Sequence, residues 1–528
     1  MSIRDRWRGA NGLGALAVSA VLWLGCSGLA RPGDFDPAPW LADYVQLRDA
    51  LSAGYANLEW TVAERGLDPF ALDSQAVAAI RDARDDRWAL WALARFVAAF
   101  ADPHLRLDIH AHPRYGTVPR YPMALAASGT RVVVAHVDDR ILDQCPLRPG
   151  DLVTAVARRR ITDELRRYTE LIDSADPQQR TAIAARLILR SPFTPANGVA
   201  VTGRHGITVV TCRLEPEPVK GDKVRERAEE MTPTAWTAPA DEVCKQLGFR
   251  SEPVAFPYPL PDGTEPVTEP GAPFPAAVVT TPAGHSIGLM RVASFLDKRQ
   301  WDACVTTWNA LRDQQDAEEC AEACLEAFAY EAVRQTIHER LADTLEALRA
   351  RAVAAIVVDI ADNGGGNDWA EDLAAMLSPR EAGCSPRAVI RHPHWSGRYA
   401  EVVGELDRLL ARGQLADSDR TLLKRARAHA ARMLTETQTT CDLRRLWTEP
   451  GYRPNCSPLA HSDDHLCGAE RERLYQLVAG RAAPALRWDR RNPRLSVYTG
   501  PLFVLVNNFT ASASEQFLGR LRAAGRGV

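Results

Sequence analysis

A serine, a histidine behind a proline and three consecutive glycines are the residues of this chain whose types and surroundings invite chemistry. Ser512 stands in Tyr498–Val528, YTGPLFVLVNNFTASASEQFLGRLRAAGRGV. Ahead of it, Leu502 to Val506 has the length and residue types of a buried strand; behind it, Phe517, Leu518 and Leu521 share one face of a helical pattern. A hydroxyl at a strand-to-helix turn sits among backbone N–H groups that have no partner inside the helix. Such groups can hold a developing oxyanion, which makes the serine a candidate nucleophile. The competing reading is a helix cap, because Ser512-Ala513-Ser514-Glu515 also fits the S-x-x-E capping box.

The glycines follow Ala354 to Ile360, a mostly apolar run of the kind found in parallel strands covered on both faces. The run breaks into Asp362-Asn363-Gly364-Gly365-Gly366-Asn367-Asp368 and then a helix, Trp369 to Leu377. Strand, glycine loop and helix make a βαβ-type unit whose backbone can approach a ligand closely at the strand's C-terminal end. Neither G-x-G-x-x-G nor GKS/T is present, which argues against a phosphate cradle. Two readings stay open: N–H groups aimed at a ligand or transition state, or a flexible loop. His104 lies in Asp102-Pro103-His104, where Pro103 ends a helical run from Pro37 to about Ala101. Alone, it reads as a loop or cap residue. His110 and His112 form an H-x-H pair with Asp108 the only close carboxylate beyond the Asp102 turn, so they read as surface residues.

The elements that must position these groups come from a 528-residue chain, long enough for three or four domains, with 46% apolar and 25% charged residues. A net charge of −3 without like-charge blocks gives no sign of a nucleic-acid partner. Residues 1–30 read as a secretory signal, with Arg4, Arg6 and Arg8 before an apolar Leu13 to Leu24 too short for a membrane span. Trp23-Leu24-Gly25-Cys26 partly resembles a lipoprotein cleavage box, so a lipidated Cys26 is the candidate membrane anchor. The ten cysteines after Cys26 are an even number, expected to be mostly disulfides in an oxidising compartment. Cys441, Cys456, His461, His465 and Cys467 are irregularly spaced without a C-x₂-C pair, which favours disulfides over zinc.

Residues 35–112 form a helical region, and 118–215 a β-rich module with a strand at Arg131–Val137 and a helix from Ile161 to Ile172. Its Leu147-Arg148-Pro149-Gly150-Asp151-Leu152-Val153 turn resembles that of PDZ domains, which bind extended peptides as an added strand. Another small β-barrel or sandwich is the alternative. Residues 216–283 read as a linker or insertion, because seven prolines from Pro257 to Pro275 forbid regular elements in its second half. Cys244 is expected to pin part of it to a neighbour. The core, 284–528, opens with a strand at Ile287–Phe295 and a long helical pattern from about Ala317 to Arg351. Cys320 and Cys324, one turn apart on that pattern, are expected to bridge to different partners. Residues 379–495 read as an insertion, plausible in composition as a disulfide-stapled lid, with a helical hairpin from Arg398 to Met433.

Three motifs, IGLMRVASF, VVDIADNGGG and PLFVLVNNFTASASEQFLGRL, together resemble the tail-specific, or C-terminal-processing, serine peptidases, in that family's order. The resemblance covers about Ile287–Ala375 and Val497–Val528 and implies an α/β fold with a crotonase/ClpP-like βαβ core. It implies Ser512 as the nucleophile and an oxyanion hole from the N–H of Ala513 and of Gly365, with Gly366 the near alternative. Family members use either a lysine downstream of the serine or an early histidine in a D-x-H setting with a downstream glutamate. His104 is similar to that early histidine, as in the tricorn-like branch, and would be the general base. Both the lysine and the glutamate lie further along than Val528. The resemblance therefore implies an exported serine endopeptidase acting on protein or peptide substrates, without metal or nucleotide cofactor. The alternative is an inactive or truncated member that binds peptides as a scaffold. The turn is not G-x-S-x-G, which argues against an α/β-hydrolase acting on small esters.

Overall fold

In the computed structural model of the chain, the described residues are 35–105, 107, 119, 121–191, 193–194, 197–216, 233–379, 387–411, 415–462, 466, 470, 473–474, 477–478 and 494–526. The leader with Cys26 lies outside them, as do His110, His112, Cys384, His465 and Cys467.

The helical region consists of α1 (Ala38–Gly54), α2 (Leu58–Ala63), α3 (Pro69–Arg81) and α4 (Asp86–Ala98). Asp68 and Asp85 start α3 and α4 by accepting the N–H of Ala71 and Trp88, each at 3.0 Å. The inner faces bury Tyr44, Leu58, Ile80, Phe96 and Phe100 together with Leu443 and Trp447 from far along the chain. Trp447 Nε1 donates to the buried Ser52 Oγ at 2.6 Å. This stretch of the 379–495 insertion is thus built into the wall of the helical region.

In the second unit, β1 (Met123–Ser128), β2 (Arg131–Val137), β3 (Leu152–Val156), β4 (Arg159–Arg160), β5 (Val199–His205) and β6 (Thr208–Leu214) make an antiparallel sheet. Its order is β1-β2-β3-β5-β6, with β4 on β3. Alternate residues Val132, Val134, Val153 and Val201 point inward and share one core with Ala184 and Ala185 of a covering helix. The module's two helices are α5 (Ile161–Thr169) and α6 (Pro177–Leu187), and Cys145–Cys212 staples the unit.

The third unit contains β7 (Thr234–Ala235), α7 (Ala240–Gln246), β8 (Glu265–Pro266), β9 (Ala276–Thr280), β10 (Ser286–Arg291), α8 (Trp301–Leu311) and β11 (Glu319–Cys320). After them come α9 (Glu322–Ala327), a π-helical turn at Phe328–Ala332, α10 (Val333–Ala350), β12 (Ala355–Asp359) and α11 (Trp369–Met376). Then β13 (Arg387–Ile390), helices α12 (Pro393–Leu410) and α13 (Asp417–Gln438), and β14 (Leu459–Ser462) precede β15 (Leu502–Leu505) and α14 (Ala513–Ala523). The main sheet runs β15-β12-β10-β9-β8, with β10, β12 and β15 mutually parallel and β9 antiparallel to β10. Parallel neighbours need crossovers, supplied by α8 to α10 before β12 and by α11 and the insertion before β15. Trp369 and Phe517 from the flanking helices meet Phe295, with ring centroids 4.7 and 5.9 Å from it. Arg291 and Asp359, at the C-terminal ends of β10 and β12, form a buried pair at 2.9 Å, and Tyr258 OH donates to Asp359 at 3.0 Å. Removing one partner of such a pair would strand a charge away from water.

Three expectations are corrected. Cys320 and Cys324 bond to each other, because Cys320 lies in β11, pairing with β7, and the helix starts only at Glu322. The proline-rich stretch contributes α7 and the core strand β9, which begins as soon as Pro275 has passed. Among the described residues the apolar β15 pairs with β12 alone, and its burial is incomplete: Phe503 and Leu505 in the strand and Val506 after it are 49%, 42% and 51% exposed. Cys244 is indeed pinned, to Cys304, and Cys441 bonds Cys456.

Candidate active site

The site lies where β12 and β15 end, the carboxyl edge of a parallel sheet where loops from adjacent strands converge. After β12 the chain makes the Asn363–Gly366 loop; after β15 it makes the 507–511 turn into α14, with Ser512 preceding the first helical residue. The two loops are tied together. Asp362 N–H donates to Asn507 Oδ1 at 2.9 Å and Asn507 Nδ2 returns a bond to Asp362 Oδ1 at 3.1 Å. The fully buried Asn363 lends its carbonyl to Ala511 N–H (3.1 Å) and Ser514 Oγ (2.9 Å), while its side chain donates to Val292 O at 3.0 Å.

Ser512 itself has φ 59°, ψ −119°, a conformation that costs energy for a residue with a Cβ and persists only where its surroundings impose it. Its N–H donates to the Glu515 carboxylate at 2.7 Å, the acidic half of the capping box. The cap and an available hydroxyl therefore coexist: His104 Nε2 is 3.1 Å from Ser512 Oγ.

His104 reaches that position from the end of α4. Arg65 donates to the carbonyls of Phe100 (2.8 Å) and Ala101 (3.1 Å), and Ala101 turns left-handed at φ 48° before Asp102-Pro103-His104. Asp102 is the residue whose role the sequence left unassigned. Its Oδ1 accepts the His104 N–H at 2.9 Å and lies 3.5 Å from His104 Nδ1. Its Oδ2 accepts from Tyr55 OH (2.9 Å) and Asn57 Nδ2 (3.2 Å). Burial pushes the Asp102 carboxyl up, but the bonds from His104, Tyr55 and Asn57 outweigh it and hold the group well below the usual carboxylate range. Burial and then the Asp102 charge push the Tyr55 phenol up, so it stays a donor. A carboxylate beside Nδ1 favours the tautomer with its proton there, leaving the Nε2 lone pair toward Ser512. Tyr55 and Asn57 carry no sequence signal, being more than 40 residues upstream; Asp102 had one, its two-residue distance from His104.

The glycine loop abuts the serine turn. At Gly365, φ +95°, an added Cβ would lie 2.7 Å from Ala511 O and Ser512 Cβ and 2.8 Å from Ala513 N. At Gly366, φ +148°, it would lie 2.1 Å from the Phe295 carbonyl carbon. Of the expected oxyanion donors, Gly365 N–H is occupied, donating to Asn363 Oδ1 at 2.9 Å. Among the described residues, the N–H groups of Ala513 and Gly366 have no acceptor. Gly365→Ala is expected to lower stability by about 1–3 kcal/mol from the positive φ alone and to displace the serine turn. Urea denaturation followed by far-UV circular dichroism measures the loss.

No group of three or more His, Cys, Asp or Glu among the described residues could hold a metal ion, and no described helix is long and apolar enough to cross a membrane. No family model matches the sequence, and no curated protein matches it. The fold is similar to that of mature CPAF bound to lactacystin, with a TM-score of 0.55 at 16% identity, covering 93% of this chain and 84% of that one. It is similar to mature CPAF alone at a TM-score of 0.52 and 15% identity, covering 93% and 82%.

Proposed function

We propose that this chain is an exported serine endopeptidase that cuts protein substrates through an acyl-serine intermediate, in the manner of tail-specific peptidases of the histidine-using branch. The observation that carries the reading is the 3.1 Å approach of His104 Nε2 to Ser512 Oγ across 408 residues of sequence. The motif order and the fold likeness to mature CPAF support it. His104 takes the Oγ proton as Oγ attacks the scissile carbonyl, and returns it to the leaving amine as the C–N bond breaks. Water then repeats the cycle on the acyl-serine. Asp102 orients the imidazole and offsets its positive charge. Ala513 N–H and a glycine-loop amide receive the oxyanion: Gly366 as the loop stands, or Gly365 once it leaves Asn363. The β-rich module is the PDZ-like candidate for holding an extended tail. The disulfides and the leader support an extracytoplasmic setting, with Cys26 as the lipid anchor.

The test is labelling by a fluorophosphonate probe, read by mass spectrometry of the modified peptide. Modification of Ser512 in the wild type, and its loss in His104→Ala, is the expected result. A correctly folded wild type without label at Ser512 would overturn the peptidase reading in favour of a peptide-binding scaffold.

A further inference from the structure

The strained backbone at Ser512 needs restraint from its neighbours. From the core side it comes from Asp362 on Asn507, Asn363 on Ala511, and Ile360 O accepting from Thr510 Oγ1 at 3.1 Å. The outer side of the same turn is met by the β-rich module. Helix α6 reaches Asn508 and Phe509, four and three residues before the serine. Gln179 Nε2 donates to the Asn508 carbonyl, Asn508 Nδ2 donates to Gln178 Oε1 at 3.4 Å, and the Arg186 guanidinium sits 4.3 Å from the Phe509 ring centroid.

The helix is built to hold that position. Asp176 caps it, accepting from Gln178 N–H (2.9 Å) and Gln179 N–H (3.3 Å). Ser174 Oγ donates to Gln179 Oε1, which fixes the amide so that its NH₂ faces Asn508. Ala184 and Ala185 are fully buried in the module's core. The outward side chains are therefore presented by a rigid element. A guanidinium over an aromatic face is attracted by the ring quadrupole, and its planar group also packs flat on the ring.

We propose that Arg186 and Gln179 are positioning residues for the nucleophile: they clamp the 507–510 turn from the module side and keep Ser512 Oγ in line with His104. The inference rests on the peptidase reading for its catalytic consequence, although the clamp itself does not. Neither residue touches the reacting atoms. Their loss lets the turn relax, and misplacement of a reacting group by about 1 Å costs up to about 100-fold in rate.

The experiment compares full-length wild type, Arg186→Ala, Gln179→Ala, the double variant and Phe509→Ala, with melting temperature as a check on folding. Two readouts are taken: the rate of fluorophosphonate labelling at Ser512, and backbone hydrogen exchange across 507–513. The expected result is labelling slowed about 10- to 100-fold in the double variant, faster exchange confined to 507–513, and KM for a peptide substrate held while kcat falls. Arg186→Lys should restore part of the rate, and Arg186→Ala should add little in a Phe509→Ala background. A folded double variant with wild-type labelling and wild-type exchange would overturn the proposal. Should that variant not fold, Arg186→Met, which keeps the stem and removes the charge, is judged by the same two readouts. If the wild type takes no label, the peptidase reading fails, and the exchange measurement alone decides the clamp.

Discussion

Ser512→Ala is expected to abolish hydrolysis of an unstructured protein substrate, with kcat falling roughly 10⁵- to 10⁶-fold, the scale seen when a nucleophile acting in concert with a base is removed. The fold should survive. The N–H of residue 512 still donates to Glu515, Asn363 still accepts from Ala511 and Ser514, and the positive φ is no worse for alanine than for serine. Stability within about 1 kcal/mol of wild type is the expectation, since the change removes a hydroxyl near a helix start and no buried group. Cleavage unchanged in this variant would end the assignment of Ser512 as the nucleophile.

Asp102→Asn is expected to lower kcat by about 10²- to 10⁴-fold while leaving KM near its wild-type value. The amide keeps the shape, but its single oxygen accepts on one side only, from the His104 N–H or from Tyr55 and Asn57; it brings no charge to the imidazolium and does not enforce the Nδ1–H tautomer. A rate within twofold of wild type would remove Asp102 from the mechanism. The variant also has a stability signature. The folded-state pKa of Asp102 is depressed, so its contribution is present above the ordinary carboxylate pKa of about 3.9 and is lost as pH falls through the lower folded value. The gap in denaturation midpoint between wild type and Asp102→Asn should therefore be wide at neutral pH and narrow on acidification below about pH 4.

Much of the architecture around Ser512 was legible because it is local. Val357-Val358-Asp359 running into three glycines, and Leu502 to Val506 running into TASAS, each encode strand, turn and helix within about thirty residues, where period and breakers act directly. His104 was legible only through its Asp-Pro-His setting; nothing in its neighbourhood indicates a partner 408 residues away. The support around it was hidden for the same reason. Tyr55 and Asn57 meet Asp102 through the packing of α1 and α2 on α4, which no periodicity encodes. Asn363 reads as one more polar residue of a glycine loop, yet it fills a buried junction between the glycine loop and the serine turn. Helical spacing puts Cys320 and Cys324 one turn apart on a single helix, whereas the helix boundary falls between them. The exposure of β15 depends on which strands flank it, a property of the whole sheet rather than of the strand.

The disulfides carry a consequence for how the chain is made. Each described bond joins cysteines that are consecutive among the described ones: Cys145 with Cys212, Cys244 with Cys304, Cys320 with Cys324, Cys441 with Cys456. None of these bonds straddles another. In an oxidising compartment, each of these four pairs can therefore close before the first cysteine of the next described pair has been synthesised. Mispairing among these eight cysteines, which would need seconds to hours of reshuffling, then has little opportunity to occur, and each unit can lock while the next is still emerging. The spacing of the cysteines is in that sense a timetable for biogenesis as well as a set of staples.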